Sequence, residues 1–347
     1  MPAGAGHAPG YVPAHLLAGR PHVIVDGAAR EATTYTLSHW PGTPTPAGLD
    51  GDLSAEIVRL ARRRPALLPA ELSVASIDHY DVDGVVALGL VVLDGLDAEH
   101  GPLLVEAARV GDFEVVTDRG AALVAFALNG LEDGAGGSGG PAGAPGAVDP
   151  LERCGVLAHE ALALLFDLAA DPGPFERLWG AEAAAYDAAV AVLAAGGASV
   201  EEIPELDLAV VRLDADGDHG PAAWDGAPLH RAAVHGVTSA LRVATIAGRR
   251  MELRYRYESW VRLARARPRR RVDLEHLARA LTAEEKGSAR WVFDGAGSIT
   301  AALHLVGGRT TSTIAPSRFV ESICTELRRL DAGPPAWDPY RPGPGLR

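Results

Sequence analysis

Residues 78–84 bring several carboxylates and an imidazole together on one short stretch, Asp-His-Tyr-Asp-Val-Asp-Gly. Carboxylate oxygens and histidine nitrogens are ligands for Mg²⁺ and Mn²⁺, and the histidine favours Mn²⁺. Asp83 could instead cap a following helix, with the other aspartates in a solvated turn. Because one cap needs only one Asp, we favour metal binding by Asp78, His79 and Asp81. Asp81 and Asp83 are then the candidate catalytic carboxylates.

The elements around this loop predict that it lies at the edge of a sheet. Residues 72–77 indicate a buried strand, and the apolar run 85–93 indicates a buried helix. Upstream, strands are expected at 22–26 and 33–37, and a helix at 54–64. This order is typical of α/β proteins with a parallel sheet, in which ligands bind at the carboxyl ends of the strands.

A second polar loop, residues 39–52, follows the strand expected at 33–37. Since parallel strands end at the same edge, we expect both loops to meet there. His39 and Asp52 are therefore predicted as further metal ligands, and so is Asp112, which follows another predicted helix. Structural alternatives stay open: a hydrogen-bonded loop histidine, a turn residue and a helix terminus, respectively. Ligands from both loops around one or two metals could activate water for displacement at phosphorus.

The sequence from His79 to Gly84 resembles the Asp-Tyr-Asp-x-Asp-Gly first motif of the DHH phosphoesterase superfamily. That superfamily includes RecJ-type nucleases and hydrolyses phosphate esters with Mn²⁺, so the resemblance implies the same chemistry here. His79 stands in place of the leading Asp, and the Asp-His-His signature is missing. Ser38-His-Trp40 and Leu49-Asp-Gly-Asp52 are similar to the His…Pro-Asp-x-Asp motif of the oligoribonuclease branch.

The chain as a whole resembles an uncharacterised actinobacterial protein family with the pattern Asp-His-Tyr/Phe-Asp-x-Asp-Gly. In that family a Gly-Asp-Phe follows, which corresponds here to residues 111–113. The family has no assigned activity, so this second resemblance implies no chemistry.

Five segments describe the expected domain organisation. Residues 1–133 form an α/β domain with a parallel sheet and the metal loops. Residues 134–150 are rich in Gly, Ala and Pro and predict a linker. Residues 151–198 predict a helical hairpin, and residues 199–330 an antiparallel α+β domain. The Pro-rich residues 331–347 predict a disordered tail.

The expected strands of the last domain include residues 230–235, 251–257 and 310–314. Alternation along a strand would put Arg254 and Arg256 on one face. Two guanidinium groups on one face could bind a substrate phosphate opposite the metal loops. An exposed, salt-bridged strand face is the alternative.

Composition excludes several classes of protein. The formal net charge of −13 argues against a general binder of nucleic acid or anionic membranes, because such proteins need a basic surface. The longest apolar run is too short to span a membrane, and no signal peptide is visible. Cys154 and Cys324 are far apart without CxxC spacing, which is typical of buried thiols in a reducing cytoplasm. We therefore expect a cytoplasmic protein.

Together these patterns predict a Mn²⁺- or Mg²⁺-dependent hydrolase of a phosphate ester. Its substrate would be a phosphate-containing small molecule or a short oligonucleotide. The competing hypothesis is a non-catalytic ligand-binding or interaction protein on a decayed hydrolase scaffold, which the missing Asp-His-His signature favours. No pattern indicates the oligomeric state.

Overall fold

The computed structural model describes residues 8–134, 149–213, 222–268 and 270–341. The chain divides into two compact units. The first runs to Ala183 and includes the segment Leu263–Ala266, and the second comprises Ala184–Arg262 and Arg267–Arg347. The expected α/β class, with a parallel sheet first and a largely antiparallel sheet later, is confirmed. The linker expected at 134–150 falls almost wholly outside the described residues.

A four-stranded parallel sheet forms the centre of the first unit. Its strands are β1 (Gly10–Tyr11), β2 (His22–Val25), β3 (Thr33–Leu37) and β4 (Val74–Ser76), in the order β1-β4-β2-β3. Strand β2 is buried along its whole length, as expected for a parallel sheet covered on both faces. Its residue Ile24 pairs with Thr36 of β3 and Ser76 of β4. The carboxyl ends of three neighbouring strands therefore meet at one edge.

The helices of this part of the chain pack on the sheet or on one another. They are α1 (Ser54–Arg63), α2 (Val82–Val92), α3 (Leu96–Phe113), α4 (Arg119–Gly134), α5 (Pro150–Ala170) and α6 (Glu176–Ala194), the last of which continues into the second unit. Helix α2 is apolar on all sides and is buried from Val82 to Val91, so it is the central helix of this unit. The expected helix at 85–93 is thus present, but it begins earlier because Asp81 caps it.

The second unit contains a mixed six-stranded sheet. Its strands are β5 (Ala198–Ile203), β6 (Leu208–Leu213), β7 (Arg242–Ala247), β8 (Arg250–Tyr255), β9 (Arg290–Phe293) and β10 (Ala302–Val306), in the order β5-β6-β7-β8-β10-β9. Strands β6 and β7 are parallel, whereas the other neighbours are antiparallel. The expectation of an antiparallel sheet is therefore wrong at this one pair.

One strand expected in the second unit is a helix. Residues Arg231–His235 form α7, and His230 caps it by accepting a hydrogen bond from the backbone N–H of Ala232 at 3.2 Å. Three consecutive apolar residues between polar ones fit a strand or a single helical turn equally well, and the cap by His230 favours the helix.

The strand expected at 310–314 is also absent from the described structure. The Glu285 carboxylate accepts hydrogen bonds from the Ser312 hydroxyl at 2.6 Å and from the Thr313 backbone N–H at 2.5 Å. These bonds hold the segment as a loop before helix α9 (Pro316–Leu330), while α8 (Glu275–Glu284) precedes β9. The local composition favours a β-strand here, but the hydrogen bonds to Glu285 hold the backbone in a loop instead.

The segment expected to be a disordered tail is packed at Trp337. Its ring stacks on Trp260 with centroids 5.7 Å apart, and its Nε1–H donates to the Trp260 carbonyl at 3.0 Å. The backbone N–H of Ala336 donates to the carbonyl of Arg271 at 2.9 Å. The buried indole thus ties residues after α9 to the second unit, although the surrounding prolines are typical of disorder.

Replacing Trp337 with Ala should destabilise the protein by about 3–5 kcal/mol, because a buried indole and its stacking partner are lost. Urea unfolding followed by circular dichroism measures this loss. Trp337→Phe keeps an aromatic ring and loses the N–H donor, so its loss should be smaller. A Trp337→Ala protein with the wild-type unfolding midpoint would show that the segment does not stabilise the fold.

Candidate metal centre

Three strand ends of the first unit bring carboxylates and two histidines together. Asp26 directly follows β2, His39 comes shortly after β3, and His79 comes shortly after β4. Donor atoms of Asp26, His79 and Asp81 lie within 4.8 Å of one another, and we call these residues the outer group. Donor atoms of Asp26, His39 and Asp83 also lie within 4.8 Å of one another, and we call these three residues the inner group. Asp26 belongs to both groups.

Asp26 presents one carboxylate oxygen to each histidine. Its Oδ1 lies 3.5 Å from His39 Nε2 and accepts a hydrogen bond from the Ser54 hydroxyl at 2.7 Å. Its Oδ2 lies 3.2 Å from His79 Nε2. The backbone of Asp26 has a positive φ of 41°, a strained conformation that Asp tolerates better than most residues. A carboxylate with this placement is suited to bridge two metal ions.

The sequence predictions assigned no role to Asp26. The only local signal for Asp26 is that it directly follows an apolar strand. The predicted ligands near β3 and β4 also come from residues that follow a strand end. A single Asp at a strand end is common, so this signal identifies a ligand only when the strand order is known.

In the inner group, His39 is oriented by its hydrogen bond to the backbone. Its Nδ1–H donates to the carbonyl of Asp52 at 2.6 Å, which leaves Nε2 to face carboxylates. Nε2 lies 3.3 Å from Asp112 Oδ2 and 3.9 Å from Asp83 Oδ2. In neutral imidazole this nitrogen carries a lone pair, so a proton or a metal ion must lie between it and the carboxylates.

Asp83 is held by a helix other than its own. Its Oδ2 accepts the backbone N–H of Ser54 at 2.7 Å, and its Oδ1 accepts that of Ala55 at 2.9 Å. These are the first N–H groups of α1, where the helix dipole stabilises negative charge. The alternative in which Asp83 caps the following helix is wrong, because Asp81 caps α2 through the N–H of Gly84 at 2.7 Å.

Asp112 lies beside the inner group because two helices approach closely at this point. A Cβ atom at Gly111 would lie 2.4 Å from Cβ of Val82, so only glycine allows α3 to contact α2 there. Within the described part of the chain, Asp112 Oδ2 and Asp26 Oδ2 are buried without a hydrogen bond. Each such atom costs about 1–3 kcal/mol or more, and a cation bound beside it would satisfy it. The residues therefore fit a divalent metal ion.

The outer group is accessible to solvent, whereas the inner group is not. The side chains of His79 and Asp81 are 29% and 37% exposed, while those of His39 and Asp83 are fully buried. His79 Nε2 lies 2.9 Å from Asp81 Oδ2, and its Nδ1 lies 3.0 Å from Asp78 Oδ1. Asp78 thus orients the imidazole and leaves Nε2 for a metal. The Trp40 ring packs against His79 at 4.9 Å between centroids.

Crowding of carboxylates perturbs their protonation. Burial and the charge of Asp81 raise the pKa of Asp26 to about 6 and that of Asp83 to about 7. Burial and the neighbouring carboxylates raise the pKa of Asp112 well above its usual range. Burial lowers the pKa of His79, but the charge of Asp81 and hydrogen bonds to carboxylates outweigh it and raise this pKa well above 6.5. Without metal, the centre holds extra protons.

Asp52, predicted as a metal ligand, lies outside both groups. Its carboxylate accepts the backbone N–H groups of Ala264 at 2.7 Å and Arg265 at 3.0 Å, and it pairs with the Arg265 guanidinium. These partners lower the pKa of Asp52 despite its burial. Asp52 therefore contributes its backbone carbonyl to His39, while its side chain fixes the segment Leu263–Ala266, which is part of the first unit.

The predicted phosphate-binding arginines lie in the second unit, where carboxylates pair with both. Arg256 is buried, and its Nη2 lies 2.5 Å from Oε1 of Glu258. Arg254, on β8, is partly exposed, and its Nη2 lies 3.4 Å from Oε2 of Glu252. Their role in substrate binding stays a prediction.

The chain belongs to a family of unknown function, DUF6687, whose profile matches residues 7–338. A search of curated proteins and a search of solved structures each gave no significant match. None of the helices in the described ranges is long and apolar enough to cross a membrane.

The raised pKa values predict opposite pH dependences for stability and for metal affinity. The folded-state pKa values of Asp26 and Asp83 lie above those of the unfolded chain, so their contribution to stability is present below pH 4 and is lost as pH rises through about 6 to 7. His79 acts in the same direction, because its raised pKa adds stability that is lost at higher pH. The melting temperature of the chelated protein should therefore fall from pH 5 to pH 7.5.

If Mn²⁺ binds at the centre it would displace these protons, so its affinity should rise about tenfold per pH unit for each proton released. Calorimetric titration in buffers of different ionisation enthalpy counts the released protons. Asp26→Asn should reduce both the proton release and the affinity, and Asp118→Asn, at a helix cap outside the centre, should change neither. Proton-independent Mn²⁺ binding would contradict this account of the centre.

Asp52→Ala should weaken Mn²⁺ binding about tenfold or more, because the turn whose carbonyl orients His39 loses its anchor. The matched control is Asp50→Ala, since Asp50 is exposed two residues away. Calorimetric titration of both variants measures the effect. If they bind Mn²⁺ equally well, the anchoring of His39 through Asp52 is wrong.

Proposed function

We propose that this protein is a metal-dependent hydrolase of a phosphate ester, with Mn²⁺ or Mg²⁺ held by the outer and inner groups. One observation carries the proposal: Asp26 belongs to both groups, with each of its carboxylate oxygens facing a different histidine. A shared carboxylate between two ligand sets is the arrangement that two-metal hydrolases use.

The inner group would hold one ion through Asp26, His39 and Asp83, with Asp112 close by. The outer group would hold a second ion through Asp26, His79 and Asp81. Such ions neutralise charge on a phosphate and lower the pKa of water. Mn²⁺ suits this mixture of carboxylates and imidazoles well, and Mg²⁺ would favour the carboxylates.

The remaining contacts keep the ligands in place. Asp78 holds His79 through Nδ1, and the Asp52 carbonyl holds His39 in the same way. The exposure of His79 and Asp81 indicates that substrate approaches from the outer group. This group lies at the amino end of α2, where the helix dipole favours a bound phosphate.

The resemblance of residues 79–84 to the first DHH motif supports phosphate esters as the substrate class. His79 replaces the leading Asp of that motif, yet its Nε2 lies beside Asp26 and Asp81 as a ligand would. The replacement therefore exchanges one kind of ligand for another. The missing Asp-His-His signature favours the alternative, a ligand-binding protein without catalysis.

The proposal predicts turnover of a phosphomonoester or phosphodiester with Mn²⁺. A panel of nucleotides, short oligonucleotides and sugar phosphates, assayed with several divalent ions, tests it. Asp81→Asn should reduce the rate by about a hundredfold or more, because Asn can still cap α2 but lacks the charge that binds metal. Asp118→Asn, also a capping Asp, should keep the wild-type rate.

Two results would contradict the hydrolase proposal. One is the absence of turnover for the whole panel with every ion, which would favour the binding-protein alternative. The other is equal turnover by wild type and Asp81→Asn, which would place the activity elsewhere.

A further inference from the structure

The segment that joins β2 to β3 carries a cation to the open side of the candidate metal centre. It begins with Asp26 and includes Arg30, whose Nη1 lies 3.9 Å from Asp78 Oδ2. Asp78 in turn contacts His79 of the outer group. Arg30 is thus two contacts away from a proposed metal ligand.

The close approach of this segment to Asp78 depends on Gly27. A Cβ atom there would lie 2.3 Å from Asp78 Oδ1, so a larger residue would push the segment away. Gly27 also has a positive φ of 158°. The backbone of Arg30 is fixed as well, since its N–H donates to the Thr33 hydroxyl at 2.9 Å and its carbonyl accepts the Thr33 N–H at 3.1 Å. The main chain therefore presents Arg30 at a defined position.

The side chain of Arg30, in contrast, is held weakly. It is 38% exposed, and an exposed ion pair at 3.9 Å contributes less than about 1 kcal/mol. Two other arginines of the first unit, in contrast, have closer carboxylates: Arg59 Nε lies 2.5 Å from Asp97, and Arg109 Nη2 lies 2.7 Å from Glu56. Arg30 can therefore reorient towards an incoming anion, because breaking its ion pair with Asp78 costs little free energy.

We infer that Arg30 binds the phosphate of the substrate at the outer group and selects for anionic substrates. This inference rests on the proposed function and adds a specificity-determining residue to it. The centre itself is rich in carboxylates, so an approaching phosphate meets negative charge wherever a metal does not neutralise it. A guanidinium at the open side offsets this repulsion and can form two parallel hydrogen bonds to phosphate oxygens.

Inorganic phosphate is the probe, added to the Mn²⁺-loaded protein and followed by calorimetry. Arg30→Ala should weaken phosphate binding about tenfold or more, while Mn²⁺ affinity and the melting temperature stay at wild-type values. Arg30→Lys should recover part of the phosphate affinity, because the charge returns without the planar fork. The matched control is Arg63→Ala. Arg63 is exposed at the carboxyl end of α1, whereas Asp83 contacts the amino end of this helix.

Three results would overturn the inference. The first is wild-type protein with Mn²⁺ that binds no phosphate, and the second is Arg30→Ala protein that binds phosphate as tightly as wild type. In the third, Arg30→Ala would lower Mn²⁺ affinity as much as phosphate affinity, which would mean that Arg30 acts on His79 through Asp78.

Phosphate binding needs no turnover, so the two proposals fail separately. Arg30-dependent phosphate binding without hydrolysis of any substrate would support the anion site and reject the hydrolase. Hydrolysis together with unchanged phosphate affinity in Arg30→Ala would reject only the role of Arg30.

Discussion

The burial of several carboxylates at one sheet edge is the constraint on which the first unit depends. Asp26 and Asp83 are almost fully buried, and like charges in a region of low dielectric repel strongly. The amino end of α1 offsets part of this repulsion through two backbone N–H groups on Asp83. Protons or metal ions must offset the rest, since Asp26 and Asp112 each keep a buried oxygen without a hydrogen bond in the described structure.

This constraint explains how the centre is divided. The inner group is enclosed between β2, β3 and the helices, so its ligands are fixed by backbone contacts such as that of His39 with the Asp52 carbonyl. The outer group keeps His79 and Asp81 partly exposed at the start of α2. Under the proposed function, the inner group would be a buried ion position and the outer group an exposed one that substrate can reach. Asp26 connects the two positions through its two oxygens.

Distant parts of the chain also stabilise this edge. Segment 263–266 comes late in the sequence, yet it belongs to the first unit, and its backbone N–H groups bind the Asp52 carboxylate. No local pattern around Asp52 distinguishes this role from that of a metal ligand, because both need a buried carboxylate. The strand expected at 310–314 was wrong for a similar reason, since Glu285, far along the chain, binds its Ser and Thr residues.

The sequence by itself determined most helices and strands of the first unit and the kinds of side chain, carboxylate and imidazole, that follow its strands. Hydrophobic periodicity predicted β2, β3 and α1, and the loop 78–84 showed its carboxylates directly, because these signals come from residues adjacent in the chain. Only the tertiary structure decided that Asp26 is shared by two groups. That role depends on the order β4-β2-β3, which puts the end of β2 between two loops. Strand order follows from packing of the whole unit and leaves no mark on the few residues around Asp26.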